Sequence, residues 1–391
     1  MPVDINAKAE TRRDNAHTSL AIRSDTVHLK ETLGWLCRAQ DSSADRGVAR
    51  SYKSAKYQGY GPSGWQASYP ETTGYIIPTM FSASLYMNDE ALKKRAIEMA
   101  DWEMDIQMPS GAVMGSVVTA MPQTPAVFNT GQVIFGLLEA YRHTNHSKYM
   151  AAAIKAGDYL VSVQDGNGLF DKGDSQFALK GATTYNARVA WALIELGMAS
   201  DIQHYIDAGC KNIDNALEKQ NVAGWYSHNC LNDPENPLLH TIVYTTRGVL
   251  EAGILLDKER YISSALKALD ALIGCQDTEG RIPGRLDDKW QGRANWDCVT
   301  GNAQVSIAWL RAHAITGAEK YKNAARTTID LIKKTQNLEH ANPGIRGGVK
   351  GSFPFDGEYG QFELLNWAAK FFCDALMMVN DDALAKKGIK G

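Results

Sequence analysis

"LVSVQDGNGLF", Leu160–Phe170, joins an apolar periodic segment to a glycine turn through one glutamine, and that glutamine recurs. The same order returns as Gln107 before Gly111, Gln220 before Gly224-Trp225 and Gln276 before Gly280. A tyrosine opens each of four such units, at 149, 205, 261 and 321, and stands 15 residues before Gln164, Gln220, Gln276 and Gln336. The unit therefore repeats at intervals of 56, 56 and 60 residues. Gln107 and Gln40 extend the series towards the N-terminus, giving six units between about residues 20 and 380.

Each unit holds two helical patterns. The first runs up to the glutamine, as in "KYMAAAIKAGDYLVSVQ" and "RYISSALKALDALIGCQ", with apolar residues at i, i+3, i+4 and i+7 and charges between them. That is a helix with one wet face. The second follows the glycine loop, as in "NTGQVIFGLLEAY", "YNARVAWALIEL" and "GNAQVSIAWLRAH", and is more apolar and richer in Gly and Ala, as a buried helix at close contact should be. Six hairpins with polar outer and apolar inner helices close most simply into an all-α (α/α)6 toroid. The expected division is a flexible N-terminal arm at 1–17, which is polar, and one toroid domain at 18–391.

Composition excludes several function classes. The chain has 391 residues, 44% hydrophobic and 22% charged, with net charge −3 and no basic run, so nucleic acid is not an expected partner. No stretch of about 18 apolar residues would span a membrane. The opening residues lack the apolar stretch of a secretory signal, so a cytoplasmic location is expected. Six scattered cysteines without C-x-x-C spacing read as reduced, buried thiols.

The two kinds of connection differ. Inner helix to next outer helix is short ("LLDKERY", "ITGAEKY"), whereas outer to inner is long and carries Trp, Tyr and Gly. In an alternating ring all long loops share one rim, and the inner helices aim their free N–H groups at it. The site is expected there. Its candidates are Trp65, Tyr69 and Glu71 in unit one and Asn129 in unit two. Unit three adds Asp171, Tyr185 and Arg188, and unit four adds Trp225, His240, Tyr244 and Arg247. Trp296, Asp297 and Asn302 come from unit five, and Glu358, Tyr359, Asn366, Trp367 and Lys370 from unit six. Trp faces stack on sugar C–H surfaces beside hydrogen-bonding carboxylates, and two arginines on one rim would suit an anionic group such as a uronate.

The Gln–Gly hairpin ends are similar to repeats of squalene-cyclase and prenyltransferase toroids and of six-hairpin glycosidases. "YPETTGYIIPT", "NWDCVTGNAQVSIAWLR" and "GSFPFDGEYGQFELLNWAAKFF" resemble the VpsJ-like group of bacterial exopolysaccharide gene clusters. The resemblance implies a glycan or lipid-linked oligosaccharide as partner and assigns no catalytic residue. Prenyltransferases and lanthionine cyclases use a zinc site of Cys, His and Asp, but Asp297 and Cys298 are adjacent rather than spaced, so no metal or other cofactor is expected. The D-x-D-D acid of terpene cyclases is absent.

Glycoside hydrolysis by paired carboxylates is the leading expectation, with Glu71 and Asp297 as acid and base and Glu358 in reserve. Elimination or C5-epimerisation of a uronate is the alternative, with Arg188 and Arg247 as clamp and Tyr244, His240 and Tyr359 moving protons. A non-catalytic glycan-binding toroid and a terpenoid or prenyl cyclase are the remaining readings. The last would require a funnel lined mainly by aromatics around a single acid.

Overall fold

The structure is a computed structural model that describes residues 5–16, 22–55, 63–170 and 178–391. Six outer helices, α2 (Asp25–Asp41), α4 (Glu90–Ile106), α6 (Ser147–Val163), α8 (Gln203–Glu218), α10 (Glu259–Gly274) and α12 (Glu319–Thr335), alternate along the chain with six inner ones. The inner helices are α3 (Pro70–Met87), α5 (Val127–Thr144), α7 (Ala187–Ser200), α9 (Leu239–Leu256), α11 (Val299–Thr316) and α13 (Asn366–Asn380). Each inner helix packs on the next, and α13 packs on α3, so the ring closes as an (α/α)6 toroid. Burial follows the sequence pattern: α11 is buried at every position from Val299 to Ala312, whereas α10 buries only a stripe that includes Tyr261, Ala265, Ala268 and Leu272.

The recurrent glutamine is the tie between units. Gln164 Nε2 donates to the Gly168 carbonyl in its own turn (3.0 Å) and to the Ala208 carbonyl of the next outer helix (3.0 Å). Gln107 does the same to Gly111 and Ala152, and Gln220 to Gly224 and Ser264. Gln276 reaches Ala324, and Gln40 reaches the Arg95 carbonyl. Gln336 closes the circle, donating to the Gly347 carbonyl and to Thr32 Oγ1 of α2. Glycine follows because the turn lies at φ +86° for Gly168 and Gly224, and a Cβ there would strike the backbone of the next outer helix. The tyrosines mark a second ladder: Tyr149, Tyr205, Tyr261 and Tyr321 each donate to an aspartate of the preceding outer helix, at Asp101, Asp158, Asp214 and Asp270.

Short connections of one rim turn through αL residues such as Asn88, Asn145, Asp201 and Asp257. The long loops meet on the other rim and are stitched edge to edge. In unit one, β1 (Ser51–Lys53) pairs with β2 (Gly64–Trp65) and with β5 (Glu363–Leu365) of unit six. In unit five, β3 (Asp297–Cys298) pairs with β4 (Ser352–Phe353).

Of the segment expected to be a loose arm, residues 5–15 form a docked helix. In α1 (Ile5–Asn15), Glu10 and Asp14 are buried and both meet the buried Lys350, at 2.9 and 2.6 Å. Its polar composition hid these contacts because the polar residues face a buried cation rather than water. Behind the inner ring, α14 (Asp382–Lys387) leads to residues 388–391, which enter the toroid from the rim opposite the long loops. Arg247 donates to the Ile389 and Gly391 carbonyls there, and Lys370 also donates to Gly391.

Candidate active site

A pocket of about 120 Å³ opens on the long-loop rim. It is lined by Tyr69, Glu71, Tyr75, Phe128, Tyr185, Leu231, His240, Thr241, Tyr244, Tyr359 and Trp367. At ~10–15 Å³ per water-sized site it has room for roughly eight to twelve non-hydrogen atoms, the size of one sugar ring. The first turns of α3, α5 and α9 and the start of α13 supply most of these side chains, as the rim argument requires.

One wall is a continuous run of rings. Phe128 meets Tyr185 (5.3 Å between centroids) and Tyr244 (5.0 Å); His240 meets Tyr244 (4.4 Å) and Tyr359 (5.2 Å). Trp367 Nε1 then donates to Tyr359 Oη at 2.9 Å. Among the described residues Glu71 is the only carboxylate in the lining, and it accepts from Tyr69 Oη at 2.6 Å. Burial pushes its carboxyl from 4.5 up to about 7, against the pull of the Tyr69 hydroxyl, Arg188 and Arg50. His240 is pushed by burial down to about 3 and is neutral at physiological pH. Its Nδ1 lies 3.3 Å from Gln304 Oε1, so that nitrogen carries the proton and Nε2 the lone pair. Since α3 and α9 are the first and fourth of six inner helices, Glu71 and His240 stand on opposite sides of the ring.

Among the expected site residues, Tyr69, Glu71, Tyr185, His240, Tyr244, Tyr359 and Trp367 come together in this pocket. The others do not line it. Asp297, the intended partner of Glu71, is buried in β3, where Arg281 Nε donates to it at 3.0 Å. Glu358 is exposed on the rim, 3.6 Å from Arg285. Arg247 points to the opposite rim, pairing with Glu251 and the 389–391 carbonyls, and Lys370 is bound to Asp374 (2.7 Å) in the ring interior. Arg188 lies beneath the pocket floor, its guanidinium 4.7 Å from the Tyr244 ring. Asn129 and Asn366 hold backbone carbonyls of Met114 and Ala49, and Asn302 is buried outside the lining. Trp65 packs on Trp35, Trp225 on Trp290, and Trp296 against Gly284 and Gly357. Asp171 lies outside the described residues.

The fold is that of several sugar-acting enzymes. A heparin-specific unsaturated glucuronyl hydrolase superposes with a TM-score of 0.70 at 14% identity, covering 93% of this chain and 97% of the other. The cellobiose 2-epimerase of Bacillus thermoamylovorans gives 0.67 at 12% identity (90% and 96% covered), and a sugar epimerase from a ruminal bacterium gives 0.69 at 13% (91% and 97%). At such identities the likeness shows the fold alone. A search of curated protein sequences finds no match. The model of a family described as lanthionine synthetase C-like protein matches residues 130–352, more than half of the chain. The chain belongs to the lanthionine synthetase C-like family.

Lanthionine cyclases hold zinc, and the residues of this lanthionine synthetase C-like chain do not fit that metal. Among the described residues no three His, Cys, Asp or Glu side chains converge as a metal site. Cys298, which caps the start of α11, is buried, and its neighbour Asp297 is turned to Arg281. No step is routed through zinc.

Four lining residues escaped the sequence reading. Tyr75 is one turn after Glu71 on α3, Phe128 directly precedes Asn129, and Thr241 directly follows His240. Their signal was position: the i+4 partner or immediate neighbour of a predicted residue at an inner-helix start. Leu231 lies in the middle of a long loop and carried no signal of its own.

Proposed function

We propose that this chain is a carbohydrate-active enzyme that seats one sugar residue of a glycan in the aromatic pocket and transfers a proton at a sugar carbon with Glu71. The observation that carries this is the make-up of the lining: among the described residues, a single carboxylate, paired with Tyr69 and facing His240 across the ring. Two-carboxylate hydrolysis asks for a second acid about 5–10 Å away across the substrate. Asp297 is occupied by Arg281 and Glu358 is exposed, so neither is placed for that role. A carboxyl that titrates near 7 suits reversible proton transfer at neutral pH. In an elimination, the Glu71 carboxylate takes the proton from carbon, the C–H electron pair forms the double bond, and the glycosidic oxygen leaves with the C–O bond pair and receives the proton that Glu71 has gained. In an epimerisation the enolised sugar turns over in the pocket, and Glu71 returns the proton to the other face of the same carbon.

The aromatic lining with one acid also meets the condition set for a terpenoid cyclase. The Arg188 guanidinium beneath the Tyr244 ring weighs against it, since a fixed cation under the floor repels a carbocation. Structural likeness to glucuronyl hydrolases and sugar epimerases supports the carbohydrate reading. The resemblance to the VpsJ-like group supports an exopolysaccharide glycan or its lipid-linked oligosaccharide precursor, handled in the cytoplasm.

The test is incubation in D2O with a panel of reducing disaccharides and uronate oligosaccharides, followed by NMR and ultraviolet absorbance. Deuterium at a sugar carbon, or an unsaturated uronate, is expected from the wild type and lost in Glu71→Gln. Release of reducing ends without deuterium incorporation would overturn proton transfer at carbon. Binding without any turnover would leave a glycan-binding toroid.

A further inference from the structure

Beneath the sugar pocket, two neighbouring phenols share one cation. Tyr75 and Tyr244 both line the pocket; their hydroxyls are buried and lie beside each other, and apart from this mutual contact and Gln304 near Tyr244 neither has a hydrogen-bond partner of normal geometry. Arg188 sits under both rings, 5.7 Å from that of Tyr75 and 4.7 Å from that of Tyr244. It is fully buried. Its Nε donates to Gln132, but Nη1 and Nη2 have no partner.

Such an arrangement is costly for a protein that leaves it unused. A buried polar group without a partner loses its hydration, and a buried guanidinium loses far more. The carboxylates whose charges reach Arg188 are Glu71 and Asp374, and Asp374 is already held by Lys370 and Thr79. Asp374 is thus taken up by Lys370, which leaves Glu71 as the carboxylate answering Arg188, and the guanidinium polarises the O–H groups of the two rings above it. Hydroxyls of this kind are donors in want of an anionic acceptor.

We propose that Tyr75 and Tyr244 form an oxyanion subsite, held positive from below by Arg188, that receives the carboxylate of a uronic acid. This deepens the proposed function and rests on it: the same pocket, with the substrate narrowed to an acidic sugar. It also replaces the two-arginine clamp expected from sequence by one arginine acting through two phenols. No proton leaves either tyrosine; each donates a hydrogen bond to a carboxylate oxygen.

The experiment is calorimetric titration of the full chain with a glucuronate-containing disaccharide and with its glucose counterpart, for the wild type, Tyr75→Phe, Tyr244→Phe and the double variant. The wild type should bind the uronate at least tenfold more tightly. Each Phe substitution should cost about tenfold in uronate affinity, the loss of one hydrogen bond to a charged acceptor. The ratio of uronate to neutral affinity should fall to about one in the double variant. Thermal melting of each variant confirms the fold, which loss of a hydroxyl without volume should preserve. Equal binding of the two sugars by the wild type, or a preference that survives in the double variant, overturns the subsite while leaving the sugar pocket intact. If neither sugar binds and no deuterium exchange is seen, the proposed function fails with it.

Discussion

Replacing Glu71 by glutamine is the perturbation that tests the site most directly, because it reads the same carboxyl by stability and by chemistry. The folded protein holds this carboxyl at about 7 against an ordinary 4.5. The folded state thus binds the proton more tightly than the unfolded chain. Below pH 4.5 both states are protonated and the group is neutral in effect; as pH rises through 4.5–7 the folded state is penalised, and above 7 the penalty is constant. Its size is about 3 kcal/mol at 1.36 kcal/mol per pH unit, an upper figure because water reaches the pocket mouth. The substituted amide would keep an acceptor for the Tyr69 hydroxyl without the charge. For a chain of this length, with unfolding entropy near ~2.1 cal/mol/K per residue, Glu71→Gln should raise the melting temperature by up to about 4 °C at pH 8. The gain should vanish at pH 4.5. Differential scanning calorimetry of both proteins at half-unit pH steps measures it, and other titrating groups cancel in the difference. Equal melting shifts at pH 4.5 and pH 8 would refute a desolvated carboxyl at Glu71 and, with it, the group assigned to proton transfer.

Other expectations concern the ties and the excluded residues. Gln164→Leu removes donors from the Gly168 and Ala208 carbonyls and should cost about 2–3 kcal/mol in urea unfolding. A loss below about 0.5 kcal/mol would deny the glutamine its role as tie. Gly224→Ala, at φ +86° with its Cβ 2.9 Å from the Lys267 backbone, should destabilise by at least about 2 kcal/mol, whereas Val222→Ala, at an exposed position of the same turn, should not. Lys350→Met leaves Glu10 and Asp14 buried without their cation, and should release α1, seen as protease cleavage within residues 5–15 that the wild type resists. Asp297→Asn should change turnover less than threefold, since this side chain answers to Arg281 and not to the pocket; a loss matching that of Glu71→Gln would restore the two-carboxylate reading.

The period of Gln and Gly determined the architecture because each glutamine ties its unit to the neighbouring outer helix, directly through its own turn or, for Gln276, by way of Thr328, so a repeat in one dimension becomes one closed ring. The alternation of wet and dry helices and of short and long connectors likewise followed from sequence, and with it the rim where the pocket lies. What sequence could not supply was depth and rotation. Arg188 and Arg247 read as equivalent, yet Arg188 is the second residue of α7 while α9 begins at Leu239, which makes Arg247 its ninth residue and puts it about 10 Å further along its helix at 1.5 Å per residue. Glu71 and Asp297 both stand at inner-helix starts, but Glu71 is inside its helix and turns to the axis, whereas Asp297 precedes α11 in a strand that faces Arg281. Convergence of side chains depends on how far each has entered its helix and which way that helix is rolled, and both are set by packing against neighbours distant in the chain.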